Sequence, residues 1–180
     1  MPQLPYVPAD VAEPADVVRA VRARRGGRLL NLDRMLLHSP PVAMGWNALM
    51  GAIRTQTMLS PRLRELAMCA VAALNRADYE WRHHAPLFVA AGGTDAQLEA
   101  LRDPARARAD TVRFDAAERA AIGLTLEMTR DVAVSDETFA AVRAALPDDR
   151  HAFELVATVA AYNMVSRVLV ALGVEDEPGH

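Results

Sequence analysis

Lysine is missing altogether: every one of the 20 basic residues in this 180-residue chain is Arg. That excludes Schiff-base chemistry, a lysine general base and the phosphate-cradling lysine of a Walker loop. Cysteine is nearly missing. Cys69 stands alone, so the chain has no intrachain disulfide, no CxxC pair and no cysteine cluster for zinc, and a reducing cytoplasm is the expected compartment. Charge of one sign is not in excess either. The formal net charge is -3, without the positive field that nucleic acid or an anionic membrane surface would require. The most apolar stretch, 156–174, is interrupted by Asn163, Ser166 and Arg167, and Met1 to Glu13 holds no basic segment leading into an apolar one. Neither a membrane span nor a signal peptide is expected.

What is present is a composition that is 52% hydrophobic and 24% charged, enough for one compact domain burying roughly 70% of the surface of its unfolded chain. Strand-like alternation is almost absent, whereas helix punctuation recurs along the whole length. The reading is an all-α, single-domain helical bundle of about eight or nine helices, with 1–13 and 175–180 as loose termini. Pro14 and Gly26-Gly27 bound a first helix, and a short second one covers Leu29 to Leu37. Ser39-Pro40 and Ser60-Pro61 are N-cap plus first-turn proline signals for helices running to about Thr57 and Asn75. Asp78 opens a fifth helix stopped by Gly92-Gly93, and Thr94 with Gln97 forms a capping box. The charged segment Arg102 to Arg113 reads as a surface connection, after which Asp115/Glu118, Ser135 and Asp148 or Asp149 start the last three helices.

Residues able to carry chemistry concentrate between Arg64 and Gly92: Glu65, Cys69, Tyr79, Glu80, Trp81, His83 and His84. On a helix from Asp78, Glu80 and His84 share one face, and Tyr79 and His83 the neighbouring one. If the preceding helix packs antiparallel through Asn75 to Ala77, Glu65 reaches the same place, and two carboxylates with an imidazole push one another's pKa values apart. The same residues also fit a plain surface pair with Glu65 bonded to an arginine. Adjacent histidines point about 100° apart on a helix, so no metal is expected. Cys69, between Met68 and Ala70, reads as a buried inert thiol. Trp46, Met44, Met50 and Met58 punctuate the third helix as an apolar wall, and Arg54 can meet an anionic group. Tyr162, Asn163 and Arg167 in the last helix need partners in the core or across a subunit contact.

The run LSPRLRELAMCAVAALNRADYEWRHHAPLFVAAGGTDAQLEAL, residues 59–101, resembles the carboxymuconolactone decarboxylase and alkylhydroperoxidase-D-like superfamily. A proline-started helix carries Arg64-Glu65, a short turn follows, the next helix bears Glu80 and His84, and a glycine stop precedes a short capped helix. LLHSPPVAMGWNALMGAIR and AYNMVSRVLVALGV extend the likeness to about residues 28–174 and to the YEW-containing members. The resemblance implies an all-α fold assembling into homo-oligomers (dimer, trimer or hexamer), with the pocket between helices. In the peroxidase branch a CxxC dithiol works with a Glu and a His. Aligned on Glu65 and His84, those two positions hold Ala77 and Glu80, so that redox mechanism has no sulfur to use.

What the resemblance leaves is proton handling by Glu65, Glu80 and His84 as catalytic residues. Trp46, Arg54, Met58, Tyr79 and His83 are expected to meet the substrate, with Arg62 and Arg64 as further clamps. The expected activity is a cofactor-independent acid/base lyase or isomerase acting on a small unsaturated or cyclic carboxylic compound. Two other readings stay open. One is a non-catalytic oligomer binding a small ligand on the Trp46, Met50 and Met58 wall, with Glu65 turned away from Glu80 and His84. The other is residual redox activity through Cys69.

Overall fold

The computed structural model describes residues 1–177. Pro178 to His180, the end of the tail expected to fray, lie outside the described residues. Ten helices and no strand are found among the described residues: α1 (Ala15–Arg24), α2 (Asn31–Leu36), α3 (Pro40–Thr55), α4 (Pro61–Asn75), α5 (Asp78–Ala90), α6 (Asp95–Leu101), α7 (Pro104–Ala107), α8 (Ala116–Arg130), α9 (Asp136–Ala145) and α10 (Asp149–Leu172). They fall into two compact units, one made of 1–56 with the C-terminal residues from 169, the other of 57–168.

In the first unit α3 packs against both α1 and α2. Gly26 and Gly27, at φ +67° and +94°, end α1 in the left-handed region that only glycine enters without strain. Asp33, 1% exposed, is held by Arg24 and Arg25 and accepts from the Leu30 N–H at 3.0 Å, which caps α2. The N-terminal segment expected to be loose is tied down in this unit. Arg34 stacks on Tyr6 and donates to the Val7 carbonyl, Arg22 donates to the Ala9 carbonyl, and the Tyr6 hydroxyl accepts from the Glu175 N–H. Arginine side chains satisfying the carbonyls of a proline-rich segment do what a strand ladder would otherwise do.

The second unit is built around α4, which packs against α5, α6, α7 and α8. The sequence shows a buried stripe on α4, yet every residue from Leu66 to Ala72 is at most 1% exposed. Ala67, Cys69, Ala70 and Ala72 are small enough for neighbours to close over the sides that a longer residue would have kept in solvent. Ser60 caps the helix by accepting from Leu63 N–H, and Arg76 ends it in the left-handed region at φ 54°. Only two residues separate Asn75 from the start of α5, so the two helices form the α-hairpin that brings their inner faces together.

The charged stretch 102–113 is not merely a connection. Asp103 caps the single turn of α7 by accepting from Arg106 N–H, and Pro104 and Ala107 are buried. Asp-Pro carries the same cap-and-proline signal as the starts of α3 and α4, hidden here among exposed arginines. Beyond it, Thr94 with Gln97 and Asp115 with Glu118 form the two expected capping boxes.

The turn after α5 gives a stability prediction. Gly93 donates to the Phe88 carbonyl at 2.9 Å, and a Cβ added to Gly93 would overlap the ring of Phe88, which is wholly buried. Gly93→Ala is expected to cost about 1–3 kcal/mol through this overpacking. Chemical denaturation of the variant checks it, and an unchanged midpoint would mean that the ring moves aside freely.

α10 has the length and apolar character to cross a membrane, but half of its apolar window is buried within the protein. Its polar residues are also used internally: Thr158 donates to the Glu154 carbonyl, Asn163 to Thr129, and Ser166 to Glu80. These are the bonds of a core helix.

Candidate active site

Glu65 on α4 and His84 on α5 face each other across the hairpin. The Nδ1 of His84 donates to Oε2 of Glu65 at 2.6 Å, with both side chains 6% exposed. A short bond between two buried side chains fixes the tautomer of the imidazole: with Nδ1 as donor, the ring lone pair is on Nε2. The ring of Tyr162 stands edge-on to His84, centroids 4.9 Å apart, which fixes the orientation of the imidazole as well.

Glu80 lies one helical turn before His84 but bonds elsewhere. Its Oε2 accepts from the Ser166 hydroxyl on α10 at 2.8 Å, and its Oε1 is buried with no hydrogen-bond partner among the described residues. At 2% exposure, burial pushes the Glu80 carboxyl well above the usual range, and the Ser166 bond opposes this only in part. The sharing of a proton between Glu80 and His84 expected from their i,i+4 spacing is therefore replaced by two pairs, Glu65 with His84 and Glu80 with Ser166. The binding-protein reading required Glu65 to turn away from His84, and it does not.

Cys69 lies between these carboxylates in electrostatic terms. Burial raises its thiol far above the ordinary value, and the charge of Glu65 raises it further, as an ionised Glu80 would, against a smaller opposite effect of Arg102. Burial and the Glu65 charge together disfavour a thiolate. Labelling with a neutral disulfide reagent should be slow in the folded protein and at least ~10²-fold faster after denaturation. Fast labelling of the folded chain would restore a redox reading.

Tyr79 and His83 are stacked on each other at 4.2 Å between centroids, and His83 Nδ1 donates to the Tyr79 carbonyl at 2.8 Å. Met58 departs from its expected place in an apolar wall. α3 ends at Thr55, the Met58 side chain is 57% exposed, and its N–H donates to Glu154. Trp46 is buried on α3 in the first unit, and Arg54 is half-buried in the last turn of the same helix. Arg62 is not the free clamp the sequence suggested: it donates to Glu118 at 2.7 Å and to the Gly92 carbonyl at 2.6 Å. Arg64 remains: its Nε is 3.9 Å from Glu65 Oε1 and, among the described residues, that nitrogen has no hydrogen-bond partner. The polar residues of α10, expected to need partners in the core or across a subunit contact, include Asn163, which bonds Thr129, Asn75 and Arg167 within the chain. Among the described residues no three His, Cys, Asp or Glu side chains converge to hold a metal ion.

Ser166 and Tyr162 are the site residues that sequence reasoning missed in this role. Their signal was the i,i+4 placement of two polar side chains on one face of an otherwise apolar helix.

An acid and a histidine bonded across this α-hairpin are accompanied by a sequence match: residues 40–127 fit the carboxymuconolactone decarboxylase family. Over that segment the chain is similar to the carboxymuconolactone decarboxylase family. Among solved structures, an uncharacterized peroxidase-related protein from Silicibacter sp. TM1040 is similar at TM-score 0.80 and 18% identity, covering 98% of this chain and 94% of that one. The alkylhydroperoxidase AhpD core protein from Ralstonia eutropha JMP134 has TM-score 0.80 and 18% identity over 98% of this chain and 93% of its own. A cysteine-to-alanine variant of the debrominase Bmp8 in complex with 2,3,4-tribromopyrrole has TM-score 0.78 and 16% identity over 99% and 95% of the two chains. At these identities the likeness is one of fold. No curated protein matches the sequence. With Cys69 as its one cysteine, this chain has no dithiol.

Proposed function

We propose that the protein is a cofactor-independent acid/base lyase or isomerase acting on a small unsaturated or cyclic carboxylic compound. The observation that carries this reading is the buried 2.6 Å bond between Glu65 and His84. A carboxylate on Nδ1 stabilises the imidazolium that forms when Nε2 takes a proton, which is what a histidine acid/base catalyst needs from its orienting partner.

In the isomerase form, Nε2 of His84 takes a proton from the carbon between a carbonyl and a C=C bond, the electron pair passes into the carbonyl to give a dienolate, and the imidazolium, whose proton exchanges with solvent, returns a proton at the far carbon. In the lyase form, the bond to a carboxylate breaks, carbon dioxide leaves, its electron pair forms the dienolate, and imidazolium delivers a proton to carbon. Arg64, beside Glu65, supplies the cation for the anionic end of the substrate.

The test is substrate-agnostic. Small unsaturated lactone and enone carboxylic acids are incubated with the protein in D2O, and carbon-bound deuterium and released carbon dioxide are followed by NMR. Catalysed exchange or decarboxylation in the wild type, lost in His84→Ala, is the expected result; equal rates with both proteins would sink the reading.

A further inference from the structure

Glu80 and Ser166 form a second device in the same site. We infer that Glu80 is a neutral hydrogen-bond donor, acting through Oε1 on an oxyanion that forms on the substrate, and that Ser166 is its positioning residue. The inference rests on the acid/base reading above and assigns the half of the site that reading leaves unused.

The geometry decides which oxygen does the work. Oε2 already accepts from the Ser166 hydroxyl at 2.8 Å, and Ser166 is itself wholly buried. Oε1 is buried and has no hydrogen-bond partner among the described residues. An ionised Glu80 would place a charged oxygen in that position with no donor to meet it, a desolvation loss that proteins avoid by keeping the group protonated. Burial holds the carboxyl well above its ordinary value, in the same direction. With Oε2 occupied as an acceptor, the proton belongs on Oε1, where it is a donor awaiting an acceptor.

The groups around Glu80 agree. Ser166 on α10 is its hydrogen-bond partner, and Cys69 on α4 lies within its electrostatic reach. Glu65 and Glu80 both lie near enough to Cys69 to act on its thiol, so the two carboxyls share one neighbourhood. With Glu65 spent on His84, a second negative charge there would repel an anionic substrate, whereas a neutral Glu80 does not. The site then suits a carboxylic compound whose carbonyl oxygen gains charge as the dienolate forms. Glu80 keeps its proton throughout and lends only the hydrogen bond, a donor aimed at the place where charge develops.

The probe is 4-nitrophenol, whose anion absorbs in the visible and presents a delocalised oxyanion like that of a dienolate. Wild type should bind the anion. Glu80→Gln, which still offers N–H, should bind it within about threefold, and Glu80→Met, without a donor, at least about tenfold more weakly. Ser166→Ala should weaken binding in wild type but add nothing in Glu80→Met, as a residue acting only through Glu80 must. In parallel, the side-chain carboxyl carbon of Glu80, assigned by its loss in Glu80→Gln, should give the NMR shift of a neutral acid at neutral pH; this readout decides the matter if the Met variant fails to fold. Tighter binding in both Glu80 variants, an ionised carboxyl signal, or no binding to wild type would overturn the inference. Because binding is read without turnover, those results would leave the Glu65–His84 reading to its own exchange assay. Normal phenolate binding with no exchange on any carboxylic compound would leave Glu80 as a donor in a ligand site and remove the acid/base reading.

Discussion

His84→Ala is expected to lower turnover at least ~10²-fold, the effect of removing the group that moves the proton. The variant also strands Glu65, a buried carboxylate bonded to His84 at 2.6 Å, so some loss of stability accompanies it, on the order of 1–3 kcal/mol. His84→Gln separates the two effects. Its amide can still donate toward Glu65 but cannot accept and release a proton, so stability should largely return while turnover stays as low as in His84→Ala. Glu65→Gln is the complementary case: the hydrogen bond can persist without the charge that stabilises imidazolium, and a fall of about 10 to 10² with a shifted pH–rate profile is expected. Rates measured by deuterium exchange across a pH series check all three. Wild-type turnover in His84→Gln would show that the imidazole is not the proton carrier.

Helix ends were the most legible feature of the sequence because their signals are local. Ser60 accepts from Leu63 N–H, and Thr94/Gln97 and Asp115/Glu118 close as capping boxes at the positions their spacing implies. Burial was less legible. Alternating large and small residues on α4 look like one stripe, and only the closeness of α5 and α8 shows that the small ones also face protein. At the site, residue types could be read but pairing could not. Glu80 and His84 stand at i and i+4, a spacing that suggests mutual contact, yet each finds a stronger partner on another helix. Glu65 lies 19 positions before His84, within reach of a hairpin argument, and the two do meet. Ser166 lies 86 positions after Glu80, and no local pattern reports a contact across that distance. The same applies to Met58, whose helical spacing from Met50 was real but fell beyond the end of α3.

Glu80→Gln is expected to change how stability depends on pH, because the group is buried at 2% exposure and its carboxyl lies well above its ordinary value of 4.5 in the folded chain. Above that ordinary value the unfolded chain releases a proton that the native chain retains, so fewer protons are bound in the unfolded state and stability must fall as pH rises. The contribution is fully present below 4.5 and is lost by up to ~1.4 kcal/mol per pH unit until the carboxyl ionises within the fold. Gln at this position has nothing to ionise. The variant should therefore gain on the wild type steadily with rising pH, by an increment that matches that slope. Asp110, Glu127, Asp148 and Glu154, all held below their ordinary values, act with the opposite sign, losing stability as pH falls, but they are common to both proteins and cancel in the difference. Chemical denaturation of both proteins at matched pH values measures it directly. A difference that does not vary with pH would mean that Glu80 carries its charge in the native state, and the charge would then have to be met by a donor at Oε1.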